Sequence, residues 1–161
     1  MRNLLLITLL FLVTKISYSQ DRFKGTHSPD SALLILIKAY SESFDDNKTI
    51  AERDAKRKTL VSTAYFYHGI DGAPIGLEGL TKRQTNNNFN VFADSVYDEV
   101  LYQYENTAVL MFKEWQHLTD KGVVKESLNS VLILLGKENG KWKVLADIIG
   151  REPKSPVKKS K

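Results

Sequence analysis

The stretch AYFYHGID, Ala64 to Asp71, carries an imidazole three positions before a carboxyl. Imidazole titrates near neutrality and a neighbouring acid tunes it, which makes His68 with Asp71 a candidate acid–base pair. A structural reading stands beside this one: a histidine at a strand end that hydrogen-bonds a backbone carbonyl. Trp115 and His117 stand two apart and share a face in an extended segment. On a pocket wall they offer a ligand an apolar body and a polar tip; on an outer face beside Lys113 they are ordinary surface groups. Tyrosines are numerous, and a buried tyrosine needs a partner for its hydroxyl. Tyr40, Tyr65 and Tyr67 are therefore candidates for the polar lining of a ligand site, with core tyrosines reaching the surface at their tips as the alternative.

Other chemistries lack their residues. The chain has no cysteine, so thiol catalysis, disulfide stapling and a lipid-modified cysteine are excluded. His27, His68 and His117 are too scattered in sequence to form the close His/Asp/Glu constellation of a metal centre. GIDGAPIG has glycines but neither the spacing nor the following Lys-Ser/Thr of a phosphate-binding loop. No serine sits in a nucleophile elbow. The sequence thus calls for no metal and no cofactor.

The ends of the chain are set apart by composition. MRNLLLITLLFLVTKISYSQ runs from Arg2 through an apolar stretch, Leu4 to Val13, to the small residues Ser17 and Ser19. This is the order of a secretory signal covering residues 1–19, with cleavage before Gln20 and a periplasmic or secreted destination. The apolar stretch is too short to span a bilayer of roughly 30 Å, so no membrane span is expected after cleavage. A lead-in over 20–29 precedes a single domain over 30–150. The tail over 151–161, REPKSPVKKSK, lacks apolar periodicity and reads as a disordered, basic end. Of the 23 basic residues, two lie in the leader and five in the tail. The domain itself is near neutral, which leaves no basic face for nucleic acid.

Elements follow from periodicity. Ser28 reads as an N-cap, with Pro29 at the first helical position and Asp30 complementing the dipole. Leu33, Leu36, Ile37, Tyr40 and Phe44 then mark one apolar helical face. A second, highly charged helix over residues 48–60 has only Ile50, Ala51, Ala55 and Leu60 to pack, and belongs on the surface. VSTAYFYH is a strand with Tyr65 and Tyr67 on one face and Ala64, Phe66 and His68 on the other. A short helix after Gly76 packs through Leu77 and Leu80 and ends at the asparagine triplet. Four strands then follow, joined by turns so short that consecutive strands must pair antiparallel. Val96, Val100, Tyr102 and Tyr104 are placed on one face of the first of them, and Trp142, Val144, Ala146 and Ile148 on one face of the last, with Lys143 and Asp147 opposite. AVLMF and VLILL are apolar on both faces. Helices cover only one face of such a sheet, so the other calls for its own cover, and a homodimer through the outer sheet face supplies it.

This order resembles the nuclear-transport-factor-2-like superfamily, and within it the SnoaL-like domains. The resemblance spans residues 30–150 and rests on the long opening helix ALLILIKAYSESF, the strand and loop AYFYHGIDGAPIG, the strand start ENTAVLMF and the closing GKENGKWKVLADI. It implies an α+β fold: a cone in which a curved, mainly antiparallel sheet wraps around the N-terminal helices and stays open at one end. Members bind steroids, polyketides and other small apolar molecules there, or present a surface. Catalytic members place a general-base carboxylate near the end of the first strand or in the pocket wall, whereas this strand ends in Tyr67 and His68, with Asp71 further on. Three functions remain open: a pocket protein for a small apolar molecule, a proton-transfer enzyme of isomerase, cyclase or hydratase type, and a secreted interaction module.

Overall fold

The computed structural model describes residues 24–25, 28–44, 47–70, 72–86, 89–120 and 123–151. The leader expected over residues 1–19, Asp71 and the tail beyond Arg151 lie outside the described residues. Helix α1 (Ser31–Ser41) leads into a 3-10 turn, Glu42–Phe44, and is followed by helix α2 (Ile50–Leu60). A two-residue strand β1 (Lys24–Gly25) precedes them, and strand β2 (Val61–His68) and helix α3 (Leu77–Asn86) come next. The chain closes with β3 (Phe89–Tyr104), β4 (Thr107–Asp120), β5 (Val123–Glu138) and β6 (Lys141–Arg151).

The N-terminus of α1 departs from expectation. Asp30, not Ser28, is the N-cap: its Oδ1 accepts from the backbone N–H of Ala32 at 2.9 Å. Ser28 instead takes φ +58 just before the helix. The expected face is buried through Leu33, Leu36, Ile37 and Tyr40, with Phe44 half-buried beyond it. Helix α2 starts with a reciprocal capping box between Thr49 and Glu52. Contrary to a wholly surface-exposed helix, it drives Arg57 completely out of solvent.

The sheet runs β1-β3-β4-β5-β6-β2. The meander β3 to β6 is antiparallel throughout, as the short turns require. At the last of these turns Asn139 and Gly140 both take positive φ, 50° and 75°, the conformation that a tight two-residue hairpin demands. Strand β2 adds to the far side of β6 in parallel. The sheet is curved and unclosed, and α1 packs in its concavity against a core of Leu101, Leu110, Val131, Ile133, Leu135 and Val144. Among the described residues no helix is long and apolar enough to cross a membrane.

Two of the sheet's register irregularities reset the faces read from the sequence. Between Tyr97 and Val100 the β3–β4 register shifts, at Asp98 with φ +56. Val96 therefore pairs beside Glu114 while Val100 and Tyr102 pair beside Met111 and Val109, so the four residues expected on one face are divided. Tyr102 and Tyr104 end up exposed. In β6, Leu134 pairs with Ala146 and Leu135 with Val144, leaving Leu145 as an extra residue. The bulge moves Asp147 onto the face that carries Trp142 and Val144, and takes Ala146 and Ile148 off it.

Candidate functional site

Three elements converge on one buried carboxyl. Tyr40, from the last turn of α1, points into the concavity and donates its hydroxyl to Oδ2 of Asp147 at 3.1 Å. The Tyr65 hydroxyl lies 3.0 Å from that of Tyr40, delivered from β2 by strand alternation. Tyr67, on the same face of β2, is the register neighbour of Asp147 across the parallel β2–β6 pair. Tyr40, Tyr65 and Asp147 are all buried, whereas Tyr67 is half-buried. Oδ1 of Asp147 has no hydrogen-bond partner among the described residues.

Burial dominates the electrostatics. It pushes the Asp147 carboxyl up to about 7, against a hydrogen bond from Tyr40; the Glu114 charge raises it further and the Arg57 charge opposes that. The same loss of solvent, with the Asp147 charge adding to it, raises Tyr40, Tyr65 and Tyr67 above the ordinary phenol value. At neutral pH the tyrosines are therefore protonated donors, and Asp147 is the group able to exchange a proton.

A polar rung continues along the concave face. Leu110 and Phe112 place the even positions of β4 in the core, and the β4–β5 register has no break. Glu114 and Gln116 follow on that face. Gln116 donates to Oε1 of Glu114 and accepts from Nδ2 of Asn129 at 3.3 Å. Asn129 is buried, sits opposite Glu114 in register and accepts from Ser127 at 2.6 Å. A buried amide, Asn129, and a half-buried carboxyl, Glu114, thus extend the polar lining of the concave face.

Arg57 closes the helical side. Its Nη2 donates to Oε1 of Gln84 in α3 at 2.8 Å, and its Cζ lies 4.9 Å from the centroid of the Phe44 ring. That ring in turn meets the ring of Tyr40 edge-on at 5.2 Å. Desolvation lowers the guanidinium's pKa, while the nearby Tyr40, Tyr65 and Asp54 oppose the shift.

The residues singled out from sequence divide between the two faces. Tyr40, Tyr65 and Tyr67 come together in the concavity. His68 is on the opposite face of β2 from Tyr65 and Tyr67, with its Nε2 3.1 Å from the carbonyl oxygen of Gly72. Asp71 lies outside the described residues. Trp115 alternates with Glu114 and faces the convex side beside Lys113 and Met111. The side chain of His117 lies outside the described residues, and its backbone pairs with Ala93 and Glu126.

Asp147, Arg57, Glu114 and Asn129 were missed. Asp147 stands alone among apolar residues in VLADII, and a single acid within a run of core-forming residues was the available signal; Asn129, between Ser127 and Ser130 in SLNSVL, gave none. Arg57 gave none, being one cation among several in AERDAKRK.

Chemically, the arrangement presents a carboxyl poised near neutrality, two linked phenols and a buried cation inside an apolar shell. It can hydrogen-bond a polar group on a small molecule and move a proton at Asp147.

No protein-family model matches this sequence, and no curated protein matches it either. Solved structures do. An NTF2-like protein from Cytophaga hutchinsonii superposes with a TM-score of 0.61 at 13% identity, covering 74% of this chain and 95% of its own. A ketosteroid isomerase-like protein from Erwinia carotovora atroseptica gives 0.52 at 17% identity, covering 78% and 93%. An NTF2-like protein of unknown function from Shewanella baltica gives 0.54 at 16% identity, covering 76% and 92%. At such identities the likeness concerns backbone architecture, and it agrees with the helix-filled, curved sheet described above. The chain has the nuclear-transport-factor-2-like fold, the α+β cone that SnoaL-like domains share.

Proposed function

We propose that this chain is an exported pocket protein that binds a small, largely apolar molecule in the concavity of the sheet. The carrying observation is Asp147: a carboxyl buried in the core, with one oxygen on Tyr40 and the other without a partner among the described residues. Buried polar atoms are nearly always satisfied, and each exception calls for a reason. A ligand's polar group meeting Oδ1, with its apolar body against the core, is such a reason. Export follows from the leader-like N-terminus. A homodimer through the convex face accounts for the half-buried Met111, Leu132 and Ile148, which lie side by side across β4, β5 and β6.

A second reading, proton-transfer catalysis on the same site, draws on the Asp147 carboxyl sitting at about 7, where a general acid–base operates best. In that reading Asp147 takes or gives the proton, while Tyr40 and Tyr65 hold the developing charge on a substrate oxygen.

Native mass spectrometry of protein purified from its own host tests the pocket. An added mass that disappears on denaturation is expected, and it should be lost in Asp147→Leu. Protein that carries no ligand, and whose melting temperature no apolar compound in a broad screen shifts, would sink the proposal.

A further inference from the structure

We infer that the polar group selected by this interior is an anion, a carboxylate on a small apolar body, held by Arg57; this rests on the pocket reading and specifies its ligand class. The neighbours of Arg57 on α2 behave as surface residues: Lys56 pairs with Glu42 at 2.9 Å and Lys58 with Asp54 at 2.9 Å. Arg57 has no exposure at all, and among the described residues it makes no ion pair of that kind. It gives one hydrogen bond, to the neutral amide of Gln84, and its Nε and Nη1 have no partner among the described residues. Those two nitrogens carry three N–H donors.

A buried charge is ordinarily paired, because removing it from water without a counter-charge is costly. Among the described residues, the nearby acids do not fill that role. Asp54 is engaged by Lys58 and by Thr81. Asp147 feels the Arg57 charge but gives its bonded oxygen to Tyr40, and burial keeps it only partly ionised at neutral pH. An incoming carboxylate supplies the missing charge, and a planar guanidinium matches its geometry. Tyr40 and Tyr65, whose hydroxyls meet each other, both interact electrostatically with the same guanidinium. Tyr67 is the member of this cluster that reaches solvent, and the ligand enters past it. The competing account makes Arg57 a strut, content with the Phe44 ring and Gln84; that account predicts no discrimination between an acid and the matching alcohol.

The experiment compares hexanoate, benzoate and cyclohexanecarboxylate with hexanol, benzyl alcohol and cyclohexylmethanol, by calorimetry on the mature chain. The acids should bind about tenfold tighter or more, the ratio that one charge-assisted hydrogen bond confers. The Nε–H resonance of Arg57 in nitrogen-15 spectra should move with the acids and stay still with the alcohols. In Arg57→Met the acid preference should collapse to about unity. Should that variant fold poorly, the wild-type ratio and the Nε–H shift still decide. Equal affinity for acids and alcohols overturns the anion inference and leaves the pocket standing. Binding of neither series overturns the pocket reading itself.

Discussion

The indole Nε1 of Trp142 donates to Oδ2 of Asp30 at 2.9 Å, tying the last strand to the cap of the first helix across 112 positions. Lys137, the register neighbour of Trp142, bonds the same oxygen at 3.1 Å and lies over the indole ring at 4.9 Å. The other oxygen of Asp30 caps α1 at Ala32, and its backbone N–H donates to Gln103 of β3 at 2.8 Å. One carboxylate therefore fixes where α1 enters the sheet, and Tyr40, ten residues on, inherits its position from that anchor. These bonds, the one from Trp142 foremost, hold the Asp30 carboxyl down to about 2.

Trp142→Phe keeps most of the buried ring and removes the N–H. A hydrogen bond to a charged acceptor contributes about 1.5–3 kcal/mol, so urea unfolding should show a loss of that order. The Asp30 carboxyl should titrate higher in the variant, as read by carbon-13 NMR. Unchanged titration would mean that Lys137 and the Ala32 N–H hold Asp30 unaided.

Asp147 makes stability depend on pH in a definite direction. Its folded value of about 7 lies above the ordinary 3.8, so the folded state binds the proton more tightly than the unfolded one. The resulting stabilisation is complete below about 4 and is lost as pH rises through 7. Between pH 5 and pH 8 the loss should be on the order of 3 kcal/mol. Asp147→Asn keeps an acceptor for Tyr40 and cannot titrate. The stability difference between wild type and this variant should therefore shift by that amount in favour of the variant between the two pH values. Parallel curves would place the Asp147 titration elsewhere.

The two tyrosines should behave differently on losing their hydroxyls. Tyr40 touches Asp147 directly, so Tyr40→Phe leaves both carboxyl oxygens without a described protein donor and strips Tyr65 of its bonded partner. The carboxyl should titrate above its wild-type value, with stability falling by about 1–3 kcal/mol. Tyr65→Phe leaves the Tyr40–Asp147 bond in place and should cost about 1 kcal/mol. An Asp147 titration that moves more in Tyr65→Phe than in Tyr40→Phe would contradict the order of contacts.

How far the site was legible in the sequence depends on which periodicity survived. The face of α1 could be read because that helix is uninterrupted; β2 shifts register against β6 between Val61 and Phe66, yet Tyr65, Phe66 and Tyr67 still alternate, and Tyr40, Tyr65 and Tyr67 lie together. Asp147 was assigned to the wrong face because alternation was carried through Leu145, where one unpaired residue reverses every side chain that follows. A bulge leaves no mark in a run such as KVLADII when it is read by itself. Arg57 was hidden differently: charge composition describes a helix as solvated, and only the packing of Phe44 and α3 against it takes one cation out of water. The parallel β2–β6 pair was equally invisible, since no local turn encodes it.

The convex face yields the last prediction. Leu132 sits between Met111 on β4 and Ile148 on β6, all three half-buried and turned away from the helices. An apolar surface of this kind on a sheet is ordinarily covered. If a second copy covers it, Leu132→Lys sets two cations against each other near the symmetry axis and should convert a dimer to a monomer in light scattering at micromolar concentration. Because Leu132 points away from the concavity, Asp147 should titrate in the variant as it does in the wild type. A wild type that is already monomeric under these conditions would remove the dimer. A variant that dissociates and also shifts Asp147 would mean that the two faces of the sheet are coupled through β5 and β6.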